Sequence, residues 1–252
     1  MVPVWINNLL KHWNTKSYLI LIVFIIIIII IIKKDYIENF VIKIISSFYS
    51  KSSLISDTPM ISKNDIDKYL PEIKVLEDNW KIILDEYSNI KTTSIKGDLF
   101  FSSNIIKTNK WKKFYIKWYN DIPHKTRKQI PKLSKILDDL PRIRLAMFSV
   151  LKPGTKILPH EGGYKGSLRC HLGLSCPSKE EGCILTLDGK QYGWKNGKCL
   201  VWDDTYTHSV VNNSNKDRII LFMDIDRPVK NNFIQKITHY FASFTNRENF
   251  IS

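Results

Sequence analysis

The sequence of 252 residues contains only four cysteines, Cys170, Cys176, Cys183 and Cys199, and no two of them form a C-x-x-C pair. Zinc ribbons need such closely spaced thiols, so we do not expect a fold built around structural zinc. No internal repeat, the mark of solenoid architectures, is visible either. Hydrophobic residues, in contrast, make up 44% of the chain and aromatic residues 12%. That content excludes a disordered chain.

Acidic residues are nearly missing from one stretch. Between Lys107 and Lys135 the single acid is Asp121, and the whole chain carries a formal net charge of +14. A basic surface can bind nucleic acid, an anionic membrane or acidic substrates, but it is as often only a solvated face. Within the stretch, residues 111–119 alternate aromatic and basic side chains, which a half-buried strand explains more simply than base stacking. We therefore do not expect nucleic acid as a partner.

One long hydrophobic run, Tyr18–Ile32, is mostly isoleucine. As a helix it would be about 22 Å long, somewhat short of the roughly 30 Å hydrocarbon core of a bilayer, but flanking lysines can snorkel and the bilayer can thin. No small-residue cleavage site follows the run, as a secretory signal would require. We interpret it as an uncleaved single-pass membrane anchor. Lysines on both sides hardly fix its orientation; we place the domain that follows on the luminal side.

This interpretation divides the chain into four parts. Residues 1–17 form a short N-terminal segment, 18–32 the transmembrane anchor, 33–63 a juxtamembrane stem and 64–252 the folded domain. The stem mixes apolar and serine-rich stretches. The alternative, that it is the first element of the domain, stays open.

Helical patterns flank the domain on both sides. Pro71–Tyr87 is predicted to be one helix, because Pro71 suits a first turn and its apolar residues recur on one face. Lys132–Leu140 is a short amphipathic helix that ends before Pro141. In the tail, Val229–Ser252, aromatic residues again fall at helical spacing, which predicts packing on the domain or on a membrane.

From Ile143 the hydrophobic period changes to two, and turn signals separate the segments. The predicted strands are Ile143–Leu151, Leu168–Ser175, Ile184–Leu187, Lys198–Trp202, Ser209–Val211 and Arg218–Asp224. Short strands at this spacing without intervening helices predict an all-β sandwich or barrel. The fold class is therefore mainly β with flanking helices, behind an N-terminal transmembrane helix.

Polar side chains interrupt these strands at a few positions. Arg169 and His171 share one face of their strand because side chains alternate. His208 and Arg218 lie on either side of a hairpin turn, and His160 follows an extended segment. Each residue alone is more often structural than functional, but together they indicate a polar pocket. Two histidines on strands can share a metal, and arginines nearby can hold the carboxylates of a small acid.

Four motifs occur here in a fixed order: S-x(10)-H, R-x-H-L-G, D-D-x-x-x-H and an arginine ten residues further on. They match Ser149 to His160, Arg169 to Gly173, Asp203 to His208, and Arg218. Over about 71–228 the chain resembles the aspartyl/asparaginyl β-hydroxylase family of 2-oxoglutarate oxygenases. The resemblance implies a double-stranded β-helix (jelly-roll, cupin-like) that binds iron(II), with 2-oxoglutarate and O2 as co-substrates.

The resemblance also implies a role for each metal-site residue. His160 and His208 would be the iron ligands. Most 2-oxoglutarate oxygenases add a carboxylate two residues after the first histidine, but here that position is Gly162, and Glu161 would point away. The family shares this gap. Asp204 would order water at the vacant position.

By the same resemblance, the co-substrate would lie among polar residues of the strands. Arg218 and Ser149 would bind the distal carboxylate of 2-oxoglutarate, since a bidentate guanidinium fits a carboxylate. Arg169 and His171 would contact its metal-side carboxylate.

These expectations define the predicted function. The chain would be a membrane-anchored iron(II)/2-oxoglutarate-dependent dioxygenase that hydroxylates aspartyl or asparaginyl residues of a protein. A lipid acyl-chain hydroxylase is the alternative within the family, because the short stem holds the site close to the bilayer. Moreover, Ser167 replaces an arginine of the peptide hydroxylases. A catalytically silent, membrane-bound binding module is the alternative from another class.

Overall fold

The computed structural model describes residues 44–90, 110–119, 121–230, 233, 235 and 236. The chain divides into two compact units, Met1–Ile44 and Ile45–Ser252, and the second contains all the elements described below. The predicted anchor at 18–32 and most of the predicted tail helix lie outside the described residues. Within the described ranges, no helix is long and apolar enough to cross a membrane.

Nine strands in the described part of the chain form two antiparallel sheets. The larger sheet has the order β1–β2–β9–β4–β7, and the smaller one β3–β8–β5–β6. The strands are β1 Trp111–Trp118, β2 Ile143–Leu151, β3 Thr155–His160, β4 Ser167–Ser175, β5 Cys183–Leu187, β6 Lys190–Tyr192, β7 Cys199–Trp202, β8 His208–Asn212 and β9 Arg218–Asp226. Two antiparallel sheets with these strand orders form a jelly roll, which is the arrangement that the sequence predicts.

The larger sheet is buried on both faces. One apolar cluster lies between this sheet and the helices, and includes Phe148, Leu172 and Leu221. The other lies between the two sheets and includes Met147 and Phe222. Strands buried on both sides read as nearly continuous apolar runs, which explains the composition of β2 and β9. The predicted strands are all present, with ends that differ by at most two residues.

Two strands were not predicted, β3 and β6. For β3 the sequence suggested only an extended segment that ends at His160. Pro159 lies within it, and proline is found in sheets mainly on edge strands. β3 is such an edge strand of the smaller sheet, paired with β8 alone. It carries His160 at its end.

Between residues 63 and 138, the described part of the chain contains five helices: α1 Lys63–Tyr69, α2 Glu72–Asp78, α3 Trp80–Asn89, α4 His124–Gln129 and α5 Pro131–Asp138. The single helix predicted for Pro71–Tyr87 is wrong, since α2 and α3 meet at Asn79. There the side-chain amide donates to the carbonyl of Val75 at 2.8 Å, a local bond that competes with a continuous helix. The predicted apolar face nevertheless reaches the core through Leu76 and Ile83. The helix predicted at Lys132–Leu140 is present as α5.

The described part of the predicted stem pairs with the domain. The backbone N–H of Ile61 donates to Val201 of β7 at 3.0 Å, and that of Asp203 donates to Pro59 at 2.9 Å. An isolated bridge also joins Ser53 to Val229. Residues 59–61 therefore pair along the outer edge of β7, and residues 53 and 54 pair with the segment that follows β9. This favours the alternative that the stretch begins the domain.

The basic stretch does not form one solvated face. Lys113 and Lys117 of β1 are buried. The ammonium group of Lys117 donates to the carbonyls of Leu137 (2.5 Å), in the last turn of α5, and Leu140 (3.3 Å), just after it. A cation suits the C-terminal end of a helix. The strand predicted for this stretch is present as β1, and two of its lysines are structural.

Candidate functional site

His160 and His208 lie directly opposite each other on β3 and β8. Their ring centroids are 4.2 Å apart, and the ring planes make an angle of 50°. The register between the strands shifts between Ile157 and His160. Such an irregularity re-aims the side chains that follow it. Two imidazoles at this separation can bind one ion.

The hydrogen bonds of both rings define their tautomers. Nδ1 of His160 lies 2.8 Å from the carbonyl oxygen of Leu158, and Nδ1 of His208 lies 2.9 Å from that of Tyr206. A carbonyl only accepts, so Nδ1 carries the proton and the Nε2 lone pair can bind a metal. Burial lowers the pKa of His208 to about 4, with smaller effects of its neighbours. This ring is neutral at physiological pH, as a metal ligand must be.

The position two residues after His160 has no side chain. A Cβ on Gly162 would lie 2.4 Å from Oδ2 of Asp204, and the Gly162 N–H donates to the Asp204 carbonyl at 2.7 Å. Glu161 is exposed and accepts a hydrogen bond from Thr207 at 2.5 Å. In the described part of the chain, no three or more His, Cys, Asp or Glu residues are grouped as a metal site. The group that a side chain at position 162 would meet is the carboxylate of Asp204.

Arg169 connects Asp204 to a second acid. Its Nη2 donates to Oδ2 of Asp204 at 2.7 Å, and its Nε donates to Oδ1 of Asp224 at 2.6 Å. Burial raises the pKa of both carboxyl groups, and the Arg169 guanidinium opposes that rise. The sequence pointed to Arg169 as a co-substrate contact, whereas its hydrogen bonds here hold two acids of the chain.

Arg218, the first residue of β9, is 1% exposed. Its Nη2 lies 3.3 Å from Oγ of Ser149, and its guanidinium carbon lies 4.8 Å from the centre of the Trp194 ring. Nε and Nη1 are buried without a hydrogen-bond partner, and no carboxylate of the described residues forms an ion pair with it. Burial lowers the pKa of Arg218. A buried cation without a counter-ion is costly, so this group fits an anionic ligand.

His171 is a second buried group without partners. Both ring nitrogens are buried and make no hydrogen bond. The ring lies 4.5 Å from that of Trp202 and 4.9 Å from that of Phe222, measured between centroids. Burial lowers the pKa of His171 well below its usual value, and the nearby Arg218 adds to this effect. A neutral imidazole here can donate to or accept from a ligand.

These side chains line one small cavity. Its lining residues are Trp111, Ile157, His160, Arg169, His171, Trp202, His208, Val210, Arg218 and Phe222. The structure thus brings all seven predicted site residues together, since Ser149 and Asp204 are bonded to Arg218 and Arg169. Their separate roles stay predictions.

Sequence reasoning missed three residues around this cavity. Trp111 donates from its indole nitrogen to Oγ of Ser149 at 2.8 Å, although the sequence analysis assigned it only to packing. Trp202 packs edge-on against His171, and Asp224 binds Arg169. Their signal in the sequence is weak, because a tryptophan or acid at a strand position shows its partner only once the register is known.

The comparisons with known proteins point to one family. A family model described as aspartyl/asparaginyl beta-hydroxylase matches residues 77–228, more than half of the chain. The chain belongs to this family of hydroxylases.

Curated relatives include proteins of different substrate class. The chain is 30% identical over 167 residues to an ornithine lipid ester-linked acyl 2-hydroxylase of Rhizobium tropici, covering 66% of this chain and 57% of that protein. It is 30% identical over 165 residues to human aspartyl/asparaginyl beta-hydroxylase, covering 64% of this chain and 22% of the relative. The chain therefore spans less than two thirds of the length of these relatives.

The solved structures that the chain matches include cupin domains. A cupin domain of an XRE-family transcriptional regulator from Enterobacter cloacae has a TM-score of 0.33 at 9% identity, with 46% of this chain and 97% of that chain covered. KdgF from Halomonas sp. has a TM-score of 0.32 at 11% identity, covering 48% and 84%. These scores are too low to add weight, so the jelly-roll assignment rests on the strand order.

Proposed function

We propose that this protein is an iron(II)- and 2-oxoglutarate-dependent hydroxylase, with O2 as the second co-substrate. The observation that carries the proposal is Arg218: a buried guanidinium with two nitrogens unbonded, in the same cavity as a pair of metal-competent imidazoles. A diacid that reaches from the histidine pair to Arg218 would satisfy both ends. Membership of a hydroxylase family supports the same proposal.

The residues present fit a ferrous ion. His160 and His208 would hold it through Nε2, because hydrogen bonds to backbone carbonyls fix both Nδ1 atoms as donors. When bound, the iron supplies the redox chemistry that couples oxidation of 2-oxoglutarate by O2 to hydroxylation of a substrate carbon. Asp204, kept beside Gly162, would order water at the side of the histidine pair that has no protein ligand.

The remaining side chains would bind and shield the co-substrate. Arg218 and the Ser149 hydroxyl would hold its distal carboxylate, and His171 with Arg169 would face the metal-side carboxylate. Trp202 and Phe222 wall the cavity. They would exclude water and keep the hydrogen bonds to the co-substrate strong.

For the substrate, we propose an aspartyl or asparaginyl residue of a protein, in line with the name of the human relative. The anchor predicted at 18–32 would make the protein a single-pass membrane protein, with its domain on the luminal side. An intact set of site residues weighs against a catalytically silent binding module, which would not need them.

A lipid acyl chain is the second candidate substrate. The Rhizobium relative is named as a lipid hydroxylase, and the predicted anchor would bring the site close to the bilayer.

Succinate release from 2-oxoglutarate tests the proposed reaction. The full chain in detergent, given iron(II), ascorbate and 2-oxoglutarate, is expected to turn over slowly without substrate. His208→Ala should abolish this turnover, whereas His124→Ala, at an exposed position of α4, should not change it. Equal rates for the wild type and His208→Ala would reject the metal assignment. Mass spectrometry for an added oxygen on peptides and on lipids then separates the two substrate classes.

A further inference from the structure

Asp224 is an acid beside the candidate site that none of the proposed steps uses. It lies on β9 opposite Arg169 of β4, and its side chain is 22% exposed. Its Oδ1 accepts the Nε–H of Arg169 at 2.6 Å. Asp224 is therefore connected to the site through Arg169.

Arg169 cannot move independently of this bond. Its guanidinium carbon lies 4.2 Å from the centre of the Phe222 ring, and its Nη2 donates to Asp204. A guanidinium is planar, and its N–H groups point in fixed directions. Holding Nε on Asp224 therefore determines where Nη2 points.

Asp204 in turn depends on Arg169. Its carboxylate lies where a Cβ of Gly162 would be, two residues after His160. Free rotation would take the carboxylate away from this place, and the bond from Arg169 prevents it. A chain of contacts thus runs from Asp224 through Arg169 and Asp204 to Gly162, two residues after His160.

We infer that Asp224 is a positioning residue, which acts through Arg169 to keep Asp204 beside the metal held by His160 and His208. The inference rests on the proposed function.

Metal affinity measures this role without turnover. Mn(II) is titrated into the full chain in detergent, and its Kd is determined by calorimetry or from the electron paramagnetic resonance signal of the free ion. Asp224→Asn keeps the shape and removes the charge, and we expect a roughly 10–100-fold weaker Kd. The matched control is Asp226→Asn, because Asp226 lies on the same strand and its carboxylate pairs with Arg144 at 2.8 Å. Its Kd should stay within about twofold of the wild type.

A double-mutant cycle decides whether Asp224 acts through Asp204. In an Asp204→Asn background, Asp224→Asn should weaken Mn(II) binding no further; additive losses would overturn the inference. An unchanged Kd for Asp224→Asn alone would overturn it as well. Arg169→Gln breaks the same chain at its centre and should give the same loss, so the test stands even if Asp224→Asn does not fold. A wild-type chain that binds no Mn(II) would instead reject the proposed function, and this inference with it.

Discussion

The carboxylate of Asp204 occupies the space that a side chain at Gly162 would need. The distance of 2.4 Å from a Cβ at this position to Oδ2 is far below van der Waals contact. Position 162 therefore cannot carry a metal-binding carboxylate unless Asp204 moves. The absence of an acid two residues after His160 and the presence of Asp204 are two aspects of one arrangement.

Substitution of the two neighbouring glycines tests this arrangement. Gly162→Ala is expected to lower the free energy of unfolding by about 1–3 kcal/mol, because the added methyl group overpacks against a carboxylate that Arg169 holds. It should also weaken Mn(II) binding. Gly163→Ala is the control, since nothing lies within 4 Å of its Cβ position, and it should change neither quantity. Chemical denaturation and metal titration of both variants check this, and similar effects of both substitutions would contradict the account.

Arg218 and Arg227 are buried to the same extent, each 1% exposed, but only Arg227 has a carboxylate partner, Asp203. Without ligand, Arg218→Met should raise the free energy of unfolding by about 1–3 kcal/mol, because it removes an uncompensated buried charge. Arg227→Met should instead lower it by about 3–5 kcal/mol, because it leaves Asp203 unpaired.

Ligand-dependent unfolding separates function from packing at Arg218. 2-Oxoglutarate with Mn(II) should raise the Tm of the wild type, since a ligand of the folded state stabilises it. It should not raise the Tm of Arg218→Met beyond the effect of Mn(II) alone. A less stable Arg218→Met variant that still responds to 2-oxoglutarate would show that Arg218 is a structural residue.

The strands and most site residues were predictable because polar residues interrupt an otherwise apolar period of two. Arg169 and His171 stand out in β4 for this reason. The partners of these residues were not predictable: Asp224 reaches Arg169 only through the register of β4 with β9, which is set by the whole sheet. The break between α2 and α3 was missed because the apolar spacing continues across Asn79. The described part of the stem was open to two interpretations, since its backbone pairing depends on β7.

The hydrogen-bond partner of Trp111 is evident only from the register of β1 with β2. Its indole N–H donates to Ser149, whose oxygen also faces Arg218. Trp111→Phe keeps an aromatic ring and removes the donor, so the Ser149 hydroxyl loses one constraint. We expect the affinity for 2-oxoglutarate to fall by about 3–10-fold, the loss of one hydrogen bond of about 1 kcal/mol, with Mn(II) affinity unchanged. Calorimetric titration of each ligand measures both, and a loss of Mn(II) affinity alone would contradict this role.

Lys117 should make stability depend on pH in the alkaline range. Burial lowers its pKa to about 8, and nearby charges modify this effect. In the unfolded chain the pKa is about 10.4, so between about pH 8 and pH 10 the unfolded state binds more protons than the folded state. The free energy of unfolding contributed by this group therefore rises with pH across that window. We expect a rise on the order of 1 kcal/mol, reduced by solvent screening.

Two variants of the same strand isolate this contribution. Lys117→Met should remove the alkaline rise in the unfolding free energy relative to the wild type, because no titrating group is left beside the carbonyls of Leu137 and Leu140. Lys112→Met removes an exposed lysine of β1 and should leave the rise unchanged. Urea denaturation at pH 7.5, 8.5 and 9.5 measures the difference, in which the titration of all other groups cancels. A wild-type curve parallel to that of Lys117→Met would mean that the buried ammonium group keeps its proton, stabilised by the two carbonyls that it contacts.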